Sequence, residues 1–489
     1  MKWFRNFFFF IILMVMVFPL LQSRYHILKD PDLMGYIGQA GPPDLKQLSW
    51  SSWFSGNFQE GFQKSIESHV GFKNTLTRLR NQYDYSLFGM TNAGRFLAGY
   101  NDVLFEDEYI FEYTGKYFIG RAPIDRKVDQ LKDILPLLKS LDIDLIPVFL
   151  PGKASFFPEK IPAHFHPERR SLSNYEYFRM RFDQYNIPYL DLSKYFLGAK
   201  DTCRFPLFPK FGMHWSTYGM IKAMDTLLRF TEKIHQTKLP HIWIKRVNVS
   251  DTVPGDDNDI GILLNLIFPL RYAPTAYPQY SVVIEPGQKK LKVLVVSDSY
   301  YDLVQKTIAL DIFSENEYWY YNDWLKSGPG VSDQTRLDKS DLLNKLGQFD
   351  VILLMSSDMN LHSGFFNFIE DTYLALHPNI LENPVLRYEN LVRGSREWFT
   401  SIVENANNSG RTIEELTTIA ARYEFNVDFP QLKNKSSEDS IEYIANNIRS
   451  DPEAFSIISQ KALKLKIPVE QMLHIDAVEQ YSKSKKKKE

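Results

Sequence analysis

Three short runs of the chain are apolar without alternation: Ile143–Leu150 (IDLIPVFL), Lys292–Val296 (KVLVV) and Asp350–Met355 (DVILLM). A strand with one covered face alternates apolar and polar residues, so unbroken runs of this length belong to strands covered on both faces. The segments between them have helical period. Lys127–Leu141 places Val128, Leu131, Ile134, Leu135 and Leu138 on one face, and helices are also predicted over Asn174–Tyr185, Thr217–Ile234 and Leu337–Leu346. A fourth strand is expected at Pro188–Leu192. Elements in this order predict an α/β three-layer core built on a parallel sheet.

The N-terminus constrains location. Lys2 and Arg5 precede an uninterrupted apolar run from Phe7 to Leu21, with Trp3 and Phe4 extending it backwards and Tyr25 at its far end. Gln22-Ser23-Arg24-Tyr25-His26 offers no pair of small residues for a signal peptidase, so residues 1–24 read as an uncleaved signal anchor rather than a cleaved signal. Positive charge before the run places the remainder outside the cytoplasm.

A formal net charge of -2 provides no basic field for nucleic acid. The single cysteine, Cys203, excludes an intrachain disulfide and a cysteine-based metal site. Aromatic residues make up 15% of the chain, which fits an aromatic-rich core more readily than a sugar-stacking surface.

Residues 25–75 read as a juxtamembrane linker, punctuated by Gly41-Pro42-Pro43, with a lead-in helix over Phe54–His69 and another helix around Phe72–Tyr85. The main domain is expected over 76–380. From 381 to 489 strand signals fade and helices are predicted at Leu386–Asn405, Thr412–Tyr423, Ser440–Arg449, Pro452–Leu465 and from Ile467-Pro468 through Tyr481, a separate helical appendage. It ends in Lys485–Lys488, a solvated tail or a contact for anionic lipid or acidic polysaccharide.

In an open parallel sheet, reactive groups gather beyond the C-terminal ends of the strands. Ser299 stands there, three residues past Val296 in Val-Ser-Asp-Ser-Tyr. The same residues also suit an ordinary turn or helix cap. His214 lies in the turn-bounded cluster Gly212-Met213-His214-Trp215-Ser216-Thr217-Tyr218-Gly219, where a general base could be held just before a helix. His164 and His166 lack a matching carboxylate cluster, so no metal is expected.

Val-Ser-Asp-Ser-Tyr resembles the Gly-Asp-Ser block of SGNH hydrolases, with Ser297 in place of the glycine. His214-Trp215 before a helix start, upstream of the serine, is similar to the alginate O-acetyltransferase proteins of the J and X type, as are Asp84–Gly89 (DYSLFG), Val103–Glu106 (VLFE) and Pro151-Gly152-Lys153. The resemblance covers about residues 55 to 375. It implies an SGNH-like core, Ser299 as nucleophile, His214 as base and no cofactor. It also implies a polysaccharide acceptor and a membrane-bound acyltransferase as acetyl donor, both on the extracytoplasmic, periplasmic side.

Further oxyanion or substrate contacts are expected from the backbone of Ser299 and Tyr300, from Asn360 or Asn322, and from Trp215 and Lys153. The family carries an aspartate two residues before the histidine, where this chain has Gly212. Asp191, Asp201 and Asp323 are candidate substitutes, and a backbone carbonyl could orient the ring instead. The same serine and histidine would also serve an esterase or deacetylase. The absent aspartate points to a third reading, a non-catalytic carbohydrate-binding or assembly protein on a degenerate SGNH fold.

Overall fold

The computed structural model describes residues 2–35, 49–165, 170–251, 255–268, 270, 275–328, 333–339, 341–377, 384–428 and 452–465, together with isolated helical positions between 445 and 477. Gly41-Pro42-Pro43, His166, Ile467-Pro468 and Lys485–Lys488 lie outside the described residues, as do most of Ser440–Arg449 and part of the stretch up to Tyr481. The chain divides into two compact units, one of Met1–Asp107, Phe208–Ser216 and Val249–Thr275, the other of Glu108–Leu207, Thr217–Asn248 and Ala276–Glu489.

The first unit opens with helix α1 (Lys2–Tyr25), of which Trp3–Tyr25 is long and apolar enough to cross a membrane. The expected helix over Phe54–His69 is two helices, α2 (Trp50–Phe54) and α3 (Asn57–His69). The break is Gly56, at φ 81, a backbone conformation that glycine adopts without steric cost. Helix α4 (Lys73–Phe88) and the antiparallel pair β1 (Phe96–Ala98) and β2 (Leu104–Glu106) complete the segment. Leu104, Phe211, Ile260 and Leu264 form a small buried core here.

The second unit holds β3 (Asp144–Leu150), β4 (Leu190–Asp191), the ribbon of β5 (His241–Ser250) and β6 (Thr275–Val283), β7 (Lys292–Ser297), β8 (Glu315–Tyr320), β9 (Trp324–Lys326), β10 (Gln334–Arg336) and β11 (Val351–Ser357). Seven of these form one sheet in the order β10-β9-β8-β7-β11-β3-β4. The pairs from β8 to β4 are parallel, and β9 and β10 add an antiparallel edge. The three apolar runs of the sequence are thus the adjacent central strands β7, β11 and β3, and β11 and β3 are buried at every position.

Register explains the two-sided burial. Ile352 pairs with Leu145 and Leu294, and Leu354 with Val296. Leu145, Leu294, Val296, Ile352 and Leu354 join one core with Ile134, Leu138, Phe178 and Phe182 from the helices Arg121–Ser140 and Asn174–Tyr185. The residues of opposite parity, Ile146, Val148, Val293, Val295 and Leu353, are buried as well, and the helix Thr217–His235 packs on β3. This is the three-layer α/β arrangement that unbroken apolar strands require.

The helices Pro384–Gly394, Arg396–Ser409 and Ile413–Asp428 follow, broken at Ser395, whose side chain caps the second of them. They extend the main core: Val392, Phe399, Ile402, Val403 and Ile413 are buried in the same cluster as the sheet residues. Phe399 stacks on His362 at 4.4 Å and meets Tyr117 edge-on at 5.1 Å. Phe399→Ala is expected to lower unfolding free energy by about 3–5 kcal/mol. Denaturant unfolding, followed by helix content and by core fluorescence, should show the two signals shifting together.

Candidate active site

Strand β7 delivers its chain to the centre of the sheet edge. Ser297, Asp298 and Tyr300 are buried to within 1% of full enclosure, while Ser299 between them is only half-buried. The hydroxyl-bearing residue predicted as nucleophile is therefore the open member of an otherwise enclosed turn, which leads into the helix Tyr301–Thr307.

Four hydrogen bonds converge on the carboxylate of Asp298. Its Oδ1 accepts from the Tyr300 N–H at 3.2 Å, and its Oδ2 from the Ser357 N–H at 2.9 Å, Ser357 Oγ at 2.7 Å and Asn360 Nδ2 at 2.9 Å. The backbone is fixed as well. Tyr318 OH, from β8, donates to the Asp298 carbonyl at 2.6 Å, and Tyr300 OH donates to the carbonyl of Pro151, just past β3, at 2.6 Å. The ends of β8, β7, β11 and β3 are thus tied to one turn, and hydrogen bonds to a carboxylate are among the stronger ones in a protein.

This tie changes the roles of three predicted oxyanion donors. The Tyr300 N–H points at Asp298, and the Asn360 amide hydrogens go to Asp298 and to Ser357 Oγ at 3.1 Å. Asn322 lies at the end of β8 and gives its amide hydrogens to the Phe366 carbonyl at 3.0 Å and Asp371 at 2.9 Å. All three donate to groups of the fold itself in this state. Lys153 is buried, at the start of a short helix after β3.

Next to that helix is a second group of buried carboxyls. An added Cβ on Gly152 would lie 1.9 Å from Asp358, so only glycine lets that carboxyl approach. Asp358 accepts from Ser155 Oγ at 2.6 Å and the Met359 N–H at 2.8 Å. Burial, with the neighbouring Asp298 charge adding to it, raises its pKa to about 7. Glu112 accepts from Asn174 Nδ2 at 2.7 Å, and burial followed by the charge of Asp358 raises it to about 8.

The first unit carries the predicted base. The loop Lys210–Ser216 is anchored where the Leu104 N–H of β2 donates to the Lys210 carbonyl, and where the Gly261 N–H donates to the Phe211 carbonyl. Nδ1 of His214 is 3.2 Å from Oδ2 of Asp259. The other oxygen of Asp259 accepts from the backbone N–H groups of Met213 and Ile260, each at 2.7 Å. A carboxylate held this way orients the imidazole ring. Trp215 is buried beside it in sequence.

The carboxylate beside the His214 ring is thus that of Asp259, and the three proposed substitutes belong to the second unit. Asp191 caps the helix Leu192–Ala199 and accepts from Tyr175 OH, Asp201 is exposed, and Asp323 pairs with Arg336. Gly212 has a reason of its own. An added Cβ there would lie 2.7 Å from Pro209 Cγ, 2.9 Å from the Asp257 carbonyl carbon and 3.0 Å from the Asp256 carbonyl oxygen. The segment that brings Asp259 to His214 passes through the space a side chain at 212 would occupy. The sequence signal was the run Gly255-Asp256-Asp257-Asn258-Asp259 before an apolar stretch, but a 45-residue separation hid its partner.

Two expectations follow. Gly212→Asp, which restores the family's residue, should displace the 256–259 segment and lower stability by about 1–3 kcal/mol, read from denaturation midpoints. The buried carboxyls set a pH dependence. Asp358 and Glu112 hold protons in the folded chain that the unfolded chain gives up. Their contribution is present at low pH and is lost as pH rises through about 7 and about 8. Burial lowers His362 from 6.5 to about 4, so its contribution is present above 6.5 and lost below. Between pH 6.5 and 8 only the carboxyls act. Unfolding midpoints should fall across that window, and Glu112→Gln should flatten the fall.

No protein-family model and no curated protein sequence matches the chain. Among solved structures it is similar to the O-acetyltransferase domain of Pseudomonas putida AlgJ, at 17% identity and TM-score 0.35, over 54% of this chain and 92% of that one. It is also similar to Pseudomonas aeruginosa AlgX, at 14% identity and TM-score 0.33, over 58% of this chain and 62% of that one. Bacillus cereus PatB1 matches at 11% identity and TM-score 0.33, over 52% of this chain and 94% of that one.

Proposed function

We propose that this chain is a serine O-acyltransferase, anchored by α1 with its main domain on the extracytoplasmic, periplasmic side of the membrane. Ser299 is its nucleophile, and His214 oriented by Asp259 is its base. The observation that carries the reading is the His214–Asp259 pair, since a half-exposed carboxylate held by two backbone N–H groups against an imidazole nitrogen is arranged to support a proton carrier. The open serine on an otherwise enclosed, tied-down turn supports it as well.

In this reading Ser299 Oγ attacks the acyl carbonyl of a donor ester while Nε2 of His214 takes its proton. The proton passes to the departing alkoxide as the donor ester bond breaks, leaving an acyl-Ser299 ester. A hydroxyl of the acceptor then gives its proton to His214 and attacks that ester, and the proton returns to Ser299 Oγ as it leaves. The acyl group is acetyl, the acceptor a polysaccharide and the donor a membrane-bound acyltransferase, in line with the motif resemblance to alginate O-acetylation proteins. Water as acceptor would make the same residues an esterase.

Full-length protein in detergent, treated with an activated acetyl ester, should carry an acetyl group on Ser299 by peptide mass spectrometry. Ser299→Ala should carry none, and His214→Ala should acquire it far more slowly. Asp259→Asn should slow turnover by up to about 10⁴-fold with the fold retained. An adduct that persists in Ser299→Ala would refute the nucleophile. Added oligosaccharide distinguishes transfer from hydrolysis, because only transfer gives an acetylated sugar.

A further inference from the structure

Helices α2 and α3 present aromatic side chains outward. Trp50 is 81% exposed, Phe54 77%, Phe62 50% and Ile66 52%. On α3, Phe58, Phe62 and Ile66 recur every four residues and so share one face. Phe58 stacks on Phe62 at 5.8 Å, and Trp53 meets Phe58 at 6.0 Å across the Gly56 corner. Together they line an open groove of about 480 Å³. Glu60 and Lys64 are paired with each other at 2.6 Å. Helix α4 is inverted in the same sense. Its Asn81 is buried and donates to the Leu264 carbonyl, while Leu79 and Tyr83 are exposed at 55% and 58%. Short amphipathic helices are marginal in water without a surface to cover the apolar face.

The surface is indicated by where these helices are held. An added Cβ on Gly71, in the connection from α3 to α4, would lie 2.2 Å from the Pro19 carbonyl and 2.6 Å from Gln22 Cβ, so that connection is pressed against the last turns of α1. Phe72 stacks on Phe18 at 5.3 Å. Just past α1, the Asp30 carboxylate accepts from the N–H groups of Asn74 and Thr75 at 3.0 and 2.8 Å and caps the start of α4. The C-terminal end of α3 and the N-terminal end of α4 are therefore fixed at the point where α1 would leave the hydrocarbon. Aromatic residues on one face of a helix, with charges on the other, are the composition of helices that lie in a bilayer interface.

We infer that α2 and α3 lie in the lipid headgroup interface beside the end of α1, with Phe54, Phe62 and Ile66 entering the acyl boundary. The inference rests on the reading that α1 spans a membrane. Three points of attachment then hold the first unit to the bilayer, where α1 alone would be a tether.

The test uses the full chain in phospholipid vesicles, with Cys203→Ser removing the only native thiol. Single cysteines at 14, 62, 66, 60 and 64 carry a nitroxide, and collision rates with oxygen and with a water-soluble nickel complex are compared. The expected result is a several-fold higher oxygen-to-nickel ratio at 62 and 66 than at 60 and 64, with 14 the most oxygen-accessible. Nickel access at 62 and 66 equal to that at 60 and 64, with 14 still in lipid, overturns the inference and leaves the anchor intact. Shielding of 62 and 66 from both reagents overturns it in favour of a protein partner. Nickel access at 14 removes the anchor and the inference with it.

Discussion

The carboxylate of Asp298 is the point on which the arrangement of the second unit depends. It is fully buried and satisfied by four donors, two of them from Ser357, the last residue of β11, and one from Asn360 just beyond it. Parallel strands have no hairpin to fix their ends against one another, so their register at the C-terminal edge must be held by other bonds. Here the bonds run through one turn. Tyr318 and Tyr300 add the ends of β8 and β3, and Ser299 is presented on a frame shared by four strands. Such a frame limits how far the hydroxyl can wander, and in the proposed reading that matters because misplacement by about 1 Å can cost a reaction a hundredfold.

The frame has an electrostatic consequence. Asp358 lies near enough to Asp298 for the latter's charge to raise its pKa, and Glu112 feels Asp358 in turn. Three carboxyl groups beneath one sheet edge do not all ionise cheaply away from water. Asp358 and Glu112 are pushed toward the protonated form. Gly152 makes this crowding sterically feasible.

Much of the fold was legible because burial on both faces leaves an unmistakable trace: the runs at 143–150, 292–296 and 350–355 are β3, β7 and β11 to within two residues. Strand β8 escaped because Glu315–Tyr320 reads as three polar residues followed by three aromatic ones (ENEYWY), which is neither an unbroken apolar run nor an alternation. The β5–β6 ribbon escaped because its exposed faces carry no apolar period. Helix breaks at Gly56 and Ser395 were hidden within continuous apolar periodicity, since one residue of special backbone or a capping hydroxyl interrupts a helix without disturbing the pattern around it. Ser299 and His214 were singled out from their neighbours in sequence, and their roles belong to the proposed function. Which hydrogens Asn360 and Asn322 had left to give was not legible, because Asp298, Phe366 and Asp371 reach them from 44 to 62 residues away in the chain.

Asp259 shows the limit most sharply. A histidine's acid is defined by where its oxygen lies, and the chain can bring an oxygen there from any distance in sequence. With glycine at 212, the backbone of 256–257 occupies the space a side chain would need, and the carboxylate arrives from the far side of that segment. The glycine and the remote aspartate are two halves of one solution. In the proposed reading Asp259 supplies the acid that the family carries at position 212, and Gly212 is what makes room for the segment that brings it. One of the two N–H groups on Asp259 is local, from Ile260, and the other comes from Met213, immediately before His214.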